Sequence, residues 1–173
     1  MTLLDVMLKR RSIRKYTDDK ISDEDLNKIL TAGLLAPTSR NRKPCEFIVV
    51  KDKDTLKKLS KAKKSGSDML KDANVAIAVF ADTKKADTWI EDSSIALTYM
   101  DLMAASLGIG SCWCQFHLRS SLLGKDAEDT ACEVLGMDDN YRIVGVLSLG
   151  VTKDQPEPHT LDDIDKDKIH YVN

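Results

Sequence analysis

The sequence predicts a mixed α/β domain of the α+β class, with a central sheet flanked by helices. Helical and strand segments alternate irregularly along 173 residues, a length that suits a single domain over residues 1–173. One strand candidate, NVAIAVFA at residues 74–81, is apolar at nearly every position, which predicts a place in the middle of the sheet. The chain has neither GxGxxG after a strand nor GxxxxGK[ST], so a doubly wound nucleotide-binding sheet is not predicted.

The predicted helices are marked by apolar spacing and by capping residues. Residues 2–9 form a short helix, and a second helix, SDEDLNKILTAGLLA, begins at Ser22 and is stopped by Pro37. DKDTLKKLSKA and AEDTACEVLG are two further helices. The longest helix covers residues 88–107 and is apolar on most sides from residue 95 onward, which predicts burial or contact with a partner.

The remaining strands are EFIVV, SCWCQF and YRIVGVLSLG. The tail that follows, TKDQPEPHTLDDIDKDKIHYVN, contains two prolines and little periodicity. Its end is too apolar, at Ile169, Tyr171 and Val172, to be free in water. We therefore expect the C-terminal tail to pack on another surface, such as that of a second subunit.

Composition narrows the function classes. The net charge is -2 and the isoelectric point about 5.9, which argues against a surface devoted to nucleic acid. The chain contains no run of eighteen apolar residues, so no membrane span is predicted. The N-terminus lacks the features of a signal peptide. The sequence thus predicts a cytoplasmic protein without nucleic-acid or membrane partners.

The four cysteines predict neither a disulfide scaffold nor a metal site. Cys112, Cys114 and His117 lie close together, but no second pair of ligands follows at the spacing of structural zinc sites. Buried thiols are the simpler interpretation.

A short basic segment, RRSIRKYTDD at residues 10–19, stands out in this acidic chain. It holds three arginines and one lysine within six positions. Arginine grips phosphate with two parallel hydrogen bonds, and a serine hydroxyl adds a donor, so a bound anion is one interpretation. A solvated basic helix end is the other.

Two further segments are compatible with a flat polar ligand. The loop PTSRNRKP offers short donors and acceptors, although such residues also favour turns. LGIGSCWCQF combines two glycines with a strand whose backbone could approach a ligand, although a helix end followed by a core strand has the same pattern.

In this order, the three segments resemble the nitroreductase family of FMN-dependent oxidoreductases, from Arg10 to the KIHY of the tail. The resemblance implies a nitroreductase-like FMN-binding fold and a homodimer with sites at the subunit interface. It also implies hydride transfer from NAD(P)H to FMN and reduction of a small aromatic acceptor such as a nitroaromatic or quinone. The cofactor carries this chemistry, so no catalytic side chain is predicted.

The resemblance also assigns residues. Arg10 and Ser12 would bind the FMN phosphate, Arg11 the phosphate or ribityl chain, and Arg14 the ribityl chain and pyrimidine edge. The loop would reach the flavin of the other subunit through four residues: Pro37, Thr38, Ser39 and Asn41. The strand would face the flavin N5 edge through Trp113, Cys114 and Gln115.

The chain departs from the family pattern at two positions. Many relatives have tryptophan where Cys45 stands, and many have lysine or arginine in the tail where this chain has PEPHT with His159. An imidazole is a weaker phosphate partner than either cation.

Other functions fit parts of the sequence. A flavin-binding sensor or carrier would keep the same cofactor residues, whereas a module for nucleic acid or an acidic partner would need further basic patches with exposed aromatics. Cys114 is either a redox-active thiol or a passive pocket residue. We favour the passive role, because Cys112 and Cys114 are too far apart along one strand for an unstrained disulfide.

Overall fold

The computed structural model describes residues 1–172. Its helices and strands, in chain order, are α1 (Leu3–Lys9), α2 (Asp23–Leu34), β1 (Cys45–Val50), α3 (Lys53–Lys61), β2 (Val75–Asp82), α4 (Trp89–Ser106), β3 (Gly110–Gln115), α5 (Ala127–Leu135) and β4 (Tyr141–Gly150). The predicted helices and strands are present, and the mixed α/β class is confirmed.

The four strands form one sheet in the order β1-β2-β4-β3, and every neighbouring pair is antiparallel. The predicted middle position of the apolar strand β2 is confirmed. The last strand in the chain, β4, also lies inside the sheet. β3 therefore stands at one edge, with one side open to other groups.

Helices cover both faces of the sheet, which explains why β2 is apolar at successive positions. Ala76, Ala78 and Phe80 pack toward α3 and α5. The alternate residues Val75, Ile77 and Val79 pack toward α2 and α4. The result is a three-layer domain with a core on each side of the sheet.

A bulge in β4 brings Trp113 of β3 close to the backbone of Gly145. Val79 pairs with Gly145, whereas the next residue, Phe80, pairs with Ile143, so β4 contains one extra residue there. A Cβ on Gly145 would lie 2.6 Å from Nε1 of Trp113. The bulge and the glycine together make room for the indole.

The helix boundaries follow the expected signals with small differences. Ser22 caps α2 by accepting a hydrogen bond from the backbone N–H of Asp25 at 3.0 Å, and α2 ends at Leu34, two residues before the predicted end. Among the helices of residues 1–172, none has the length and apolarity needed to cross a membrane. The cytoplasmic location stays a prediction, as does the single-domain boundary.

Candidate functional site

The basic segment, residues 10–14, runs beside the outer edge of β3. The backbone N–H of Ile13 donates to the carbonyl of Ser111 at 2.8 Å, and Ser12 forms a short parallel bridge with Ser111. Gly110 permits this approach, because a Cβ on it would lie 2.8 Å from Cγ2 of Ile13. The arginines are thereby placed where α4 ends and β3 begins.

A buried carboxylate, Asp101 of α4, holds this corner together. It is 8% exposed. Its Oδ1 accepts a hydrogen bond from the Ser111 hydroxyl at 2.5 Å, and its Oδ2 lies 3.4 Å from Nη1 of Arg10. Because a buried carboxylate is unfavourable without a partner, Arg10 balances it. The contact uses only part of the five-donor guanidinium, and the rest can bind an anion.

Three cations, Lys9, Arg10 and Arg11, line one cleft at this corner. The cleft has a volume of about 510 Å³ and is closed on the other side by tail residues between 152 and 158. Arg11 donates to the backbone carbonyl of Glu157, which ties the tail to the basic segment. Guanidinium and ammonium groups around a concave site suit a phosphate. Lys9 was not predicted as a site residue, although its position directly before the arginines is a usable signal.

Ser12 and Arg14 lie outside that cleft and are exposed. A guanidinium N–H of Arg14 donates to the carbonyl of Ser12 at 3.3 Å. The assignment of Ser12 to a phosphate stays a prediction.

His159 also lies outside the cationic cleft. Its backbone N–H donates to the carbonyl of Leu8 at 2.9 Å, and its Nδ1 is 3.8 Å from Oδ2 of Asp163. It borders a separate depression near Met1 and Asp5. The imidazole therefore does not line the cationic cleft of its own chain.

The loop of residues 37–44 has a strained backbone. Three non-glycine residues lie in the left-handed region, with φ values of 51°, 55° and 48°: Arg40, Asn41 and Lys43. The Asp92 carboxylate accepts a hydrogen bond from the N–H of Ser39 at 3.0 Å, and Oγ1 of Thr38 accepts one from the N–H of Lys43 at 3.1 Å. Backbone strain of about 1 kcal/mol or more per residue is common in functional loops.

The loop and the basic segment stand at opposite parts of α4. Asp92 holds the loop and Asp101 holds Arg10, and their separation of nine positions corresponds to about 14 Å along the helix. Pro37 and Asn41 are exposed, and Thr38 and Ser39 are half-buried. One chain therefore does not bring the two predicted groups of residues into one cleft.

The side chains of Trp113 and Cys114 point to opposite faces of the sheet. The half-buried indole of Trp113 packs toward α4 and donates to Oε1 of Gln115 at 3.0 Å. The thiol of Cys114 is 1% exposed and its Sγ lies 3.3 Å from Sδ of Met69. The neighbouring Cys112 thiol and burial both raise the pKa of Cys114. An enclosed, protonated thiol favours the passive role, which stays a prediction.

The outer edge of β3 is open beyond Ser111. In antiparallel pairs, successive residues direct their N–H and C=O groups alternately to the partner strand and away from it. Ser111 directs its carbonyl outward to Ile13, so Trp113 and Gln115 direct their backbone groups to the same side. At the far end, the ammonium group of Lys63 donates to the carbonyl of Gln115 at 2.9 Å. A flat ligand along this edge would find outward N–H donors with cations at both ends.

Besides Lys9, sequence reasoning missed three residues that organise these contacts. Asp101 gave a usable signal, because it is the lone charge in the otherwise uncharged run IALTYMDLMAASL. Asp92 resembled an ordinary acidic residue near a helix start. Lys63 stood in a run of lysines whose burial the sequence does not reveal.

The nitroreductase family model matches residues 7–66 and 61–151. A structure from Clostridium difficile R20291, named an FMN-dependent nitroreductase, is 41% identical, with a TM-score of 0.95 and coverage of 98% of this chain and 99% of that one.

Two archaeal relatives extend over nearly the whole chain, and both carry the provisional name NADH dehydrogenase/NAD(P)H nitroreductase. The protein of Archaeoglobus fulgidus is 41% identical, with 96% of this chain and 95% of the relative covered. The protein of Methanothermobacter thermautotrophicus is 33% identical, with 98% and 86% covered. The resemblance drawn from the sequence is confirmed: this chain belongs to the nitroreductase family.

Proposed function

We propose that this chain is an FMN-dependent oxidoreductase that takes hydride from NAD(P)H and passes it to a small aromatic acceptor such as a nitroaromatic or quinone. The observation that carries the proposal is the cleft with three cations at the start of the open edge of β3. The similarity to an FMN-dependent nitroreductase and to two provisional NAD(P)H nitroreductases supports it.

The chain's own residues would bind and orient the cofactor. Lys9, Arg10 and Arg11 would hold the phosphate by charge-assisted hydrogen bonds. The outward N–H groups of Trp113 and Gln115 would face the polar edge of the ring. FMN itself supplies the hydride chemistry when it is bound, so the protein's task is to position and tune the ring.

We propose that the complete site forms in a homodimer, with the loop of residues 37–44 supplied by the second subunit. The distance between loop and basic segment within one chain supports this arrangement. A broad apolar groove between α1, α2 and α4 supports it further, because groups such as Met7, Leu35 and Tyr99 are exposed there. The exposed apolar end of the tail, including Ile169 and Tyr171, could cover such a groove on the partner.

Sedimentation tests the dimer. We expect a species of twice the 19.3 kDa chain mass, with flavin bound. A stable monomer that carries flavin would contradict the shared site.

Absorption spectroscopy tests the oxidoreductase proposal. The purified protein should show the blue and near-ultraviolet bands of flavin. Anaerobic NADH or NADPH should bleach them, and a quinone or nitroaromatic should restore them. Absence of flavin binding would contradict the proposal. Flavin that binds but is not bleached by either nucleotide would favour the alternative, a flavin-binding sensor or carrier.

A further inference from the structure

A histidine and a buried carboxylate, His117 and Glu128, form a pair just beyond the end of β3. Glu128 lies in the first turn of α5 and is 5% exposed. Its Oε1 lies 2.7 Å from Nδ1 of His117 and 3.4 Å from the backbone nitrogen of Leu118. Its Oε2 has no hydrogen-bond partner within residues 1–172. The start of a helix stabilises a charged carboxylate, which at this distance can balance a protonated imidazole.

The imidazole of His117 is oriented but not enclosed. Its side chain is 17% exposed, and the ring of Trp89 packs against it edge to face, with 5.2 Å between the ring centres. A charged carboxylate only accepts hydrogen bonds, so Nδ1 of His117 is the donor to Glu128 and Nε2 is left for another partner. A histidine held in this way by a carboxylate can transfer a proton through its second nitrogen.

The backbone directly after His117 is strained. Leu118 has a φ of 56°, in the left-handed region that a leucine rarely adopts. Such conformations persist where the surrounding contacts impose them, and they recur at functional sites. Here the strain accompanies the turn that brings His117 and Glu128 together.

His117 stands two residues beyond the open edge of β3. The indole of Trp113 donates to Oε1 of Gln115 at 3.0 Å, and Nε2 of Gln115 donates to the carbonyl of His117 at 3.3 Å. With the FMN phosphate in the cationic cleft beside Ser111, the flavin ring would extend toward Gln115, about 13 Å further along the strand. An acceptor stacked on that end of the ring would have His117 at its rim.

We propose that His117 donates the proton that a quinone needs in addition to the hydride, and that Glu128 positions the imidazole for this step. The inference rests on the proposed oxidoreductase function, which supplies the hydride from reduced FMN. A quinone that gains one hydride carries one negative charge on oxygen, and the proton from Nε2 of His117 completes the hydroquinone. The imidazole is left neutral and regains a proton from water, because its side chain is partly exposed.

Stopped-flow spectroscopy of the FMN-loaded protein separates the two half-reactions. In His117→Gln, bleaching by NADH or NADPH should change less than about twofold, whereas reoxidation by benzoquinone should slow about tenfold or more. Ferricyanide, which takes electrons without a proton, should reoxidise parent and variant at equal rates. His170→Gln, a matched change at an exposed histidine of the tail, should leave every rate unchanged.

Binding of 4-nitrophenolate gives a readout that does not depend on turnover, because its oxygen carries the charge of the singly protonated product. Oxidised, FMN-loaded His117→Gln should bind it about tenfold more weakly than the parent. Glu128→Gln keeps an acceptor for Nδ1 without the charge, so it should weaken 4-nitrophenolate binding and slow reoxidation by benzoquinone about threefold. Both variants should bind FMN as tightly as the parent.

Four results would overturn the inference: an unchanged rate with benzoquinone in His117→Gln, equal slowing with benzoquinone and ferricyanide, an unchanged affinity for 4-nitrophenolate, or failure of both variants to fold, which would make the pair a structural one. A parent protein that binds no FMN, or whose FMN neither nucleotide bleaches, would instead overturn the proposed function.

Discussion

The two buried aspartates of α4 are the same residue type in opposite electrostatic settings. Asp92, in the first turn, accepts only from uncharged donors, the N–H of Ser39 and the hydroxyl of Thr88. Asp101, near the other end, is paired with the guanidinium of Arg10. The N-terminus of a helix favours a negative charge, whereas the C-terminus opposes one. Asp92 lies in the first turn of α4, where the helix N-terminus stabilises its charge, whereas Asp101 lies outside that turn and is balanced by a cation.

Because Asp101 is paired with a cation, Arg10 has two roles. It balances Asp101, and it lines the cationic cleft. The loop held by Asp92 has no such conflict, because Asp92 accepts from a backbone N–H and a hydroxyl rather than from a cation that also lines a cleft. Three substitutions test this contrast, and a fourth tests the role of Cys114.

The largest effect is expected from Asp101→Ala. The change leaves the half-buried Arg10 and the hydroxyl of Ser111 without their partner, which should lower the free energy of unfolding by about 3 kcal/mol. Urea denaturation measures this. In the double variant Arg10→Ala/Asp101→Ala, the loss should be smaller than the sum of the two single losses. Additive losses would show that the pair is not coupled.

Arg10→Ala should weaken FMN binding ten- to a hundredfold, or about 1.5–3 kcal/mol, because a charge-assisted phosphate contact is removed. Fluorescence titration of the flavin-free protein measures the affinity. Riboflavin, which lacks the phosphate, is the control and should bind both proteins equally. Equal losses for FMN and riboflavin would mean that Arg10 acts on the fold rather than on the phosphate.

Asp92→Asn should lower the free energy of unfolding by about 1–2 kcal/mol, less than Asp101→Ala. The amide can still accept from Ser39, but it lacks the charge that the start of α4 favours. Urea denaturation under the same conditions gives the comparison. A loss larger than that of Asp101→Ala would contradict the proposed difference between the two ends of the helix.

The smallest effect is expected from Cys114→Ser. The side chain is enclosed on the face of β3 away from Trp113, so FMN binding and NAD(P)H-dependent quinone reduction should be largely retained. Spectroscopic flavin content and steady-state turnover are the measurements. Normal flavin binding with abolished turnover would identify Cys114 as a redox-active thiol.

Local signals predicted the helices and strands well. Contacts between residues far apart in the chain could not be predicted in this way. The capping residue Ser22 and the apolar run of β2 are properties of short segments, so the sequence displays them directly. The pairing of Ser12 with Ser111, about a hundred residues apart, has no local signal.

The candidate site was likewise predictable only where local residue chemistry or the family resemblance marked it. Arginine chemistry drew attention to the basic segment, and the family resemblance drew attention to the loop and to β3. Neither could reveal that Lys63 is buried or that Asp92 anchors the loop, because both facts depend on how α3 and α4 pack. Nor could they show that His159 lies outside the cationic cleft.

The position of β4 has a consequence for synthesis of the chain. β4 leaves the ribosome after β1, β2 and β3, yet it lies between β2 and β3. Until residue 150 emerges, β3 has no strand to pair with and β2 can pair only with β1. Nascent chains that lack β4 expose the unpaired edge of the apolar strand β2 and are therefore prone to aggregation. The sheet, together with the edge of β3 proposed to hold the flavin, is therefore completed only when β4 has been synthesised.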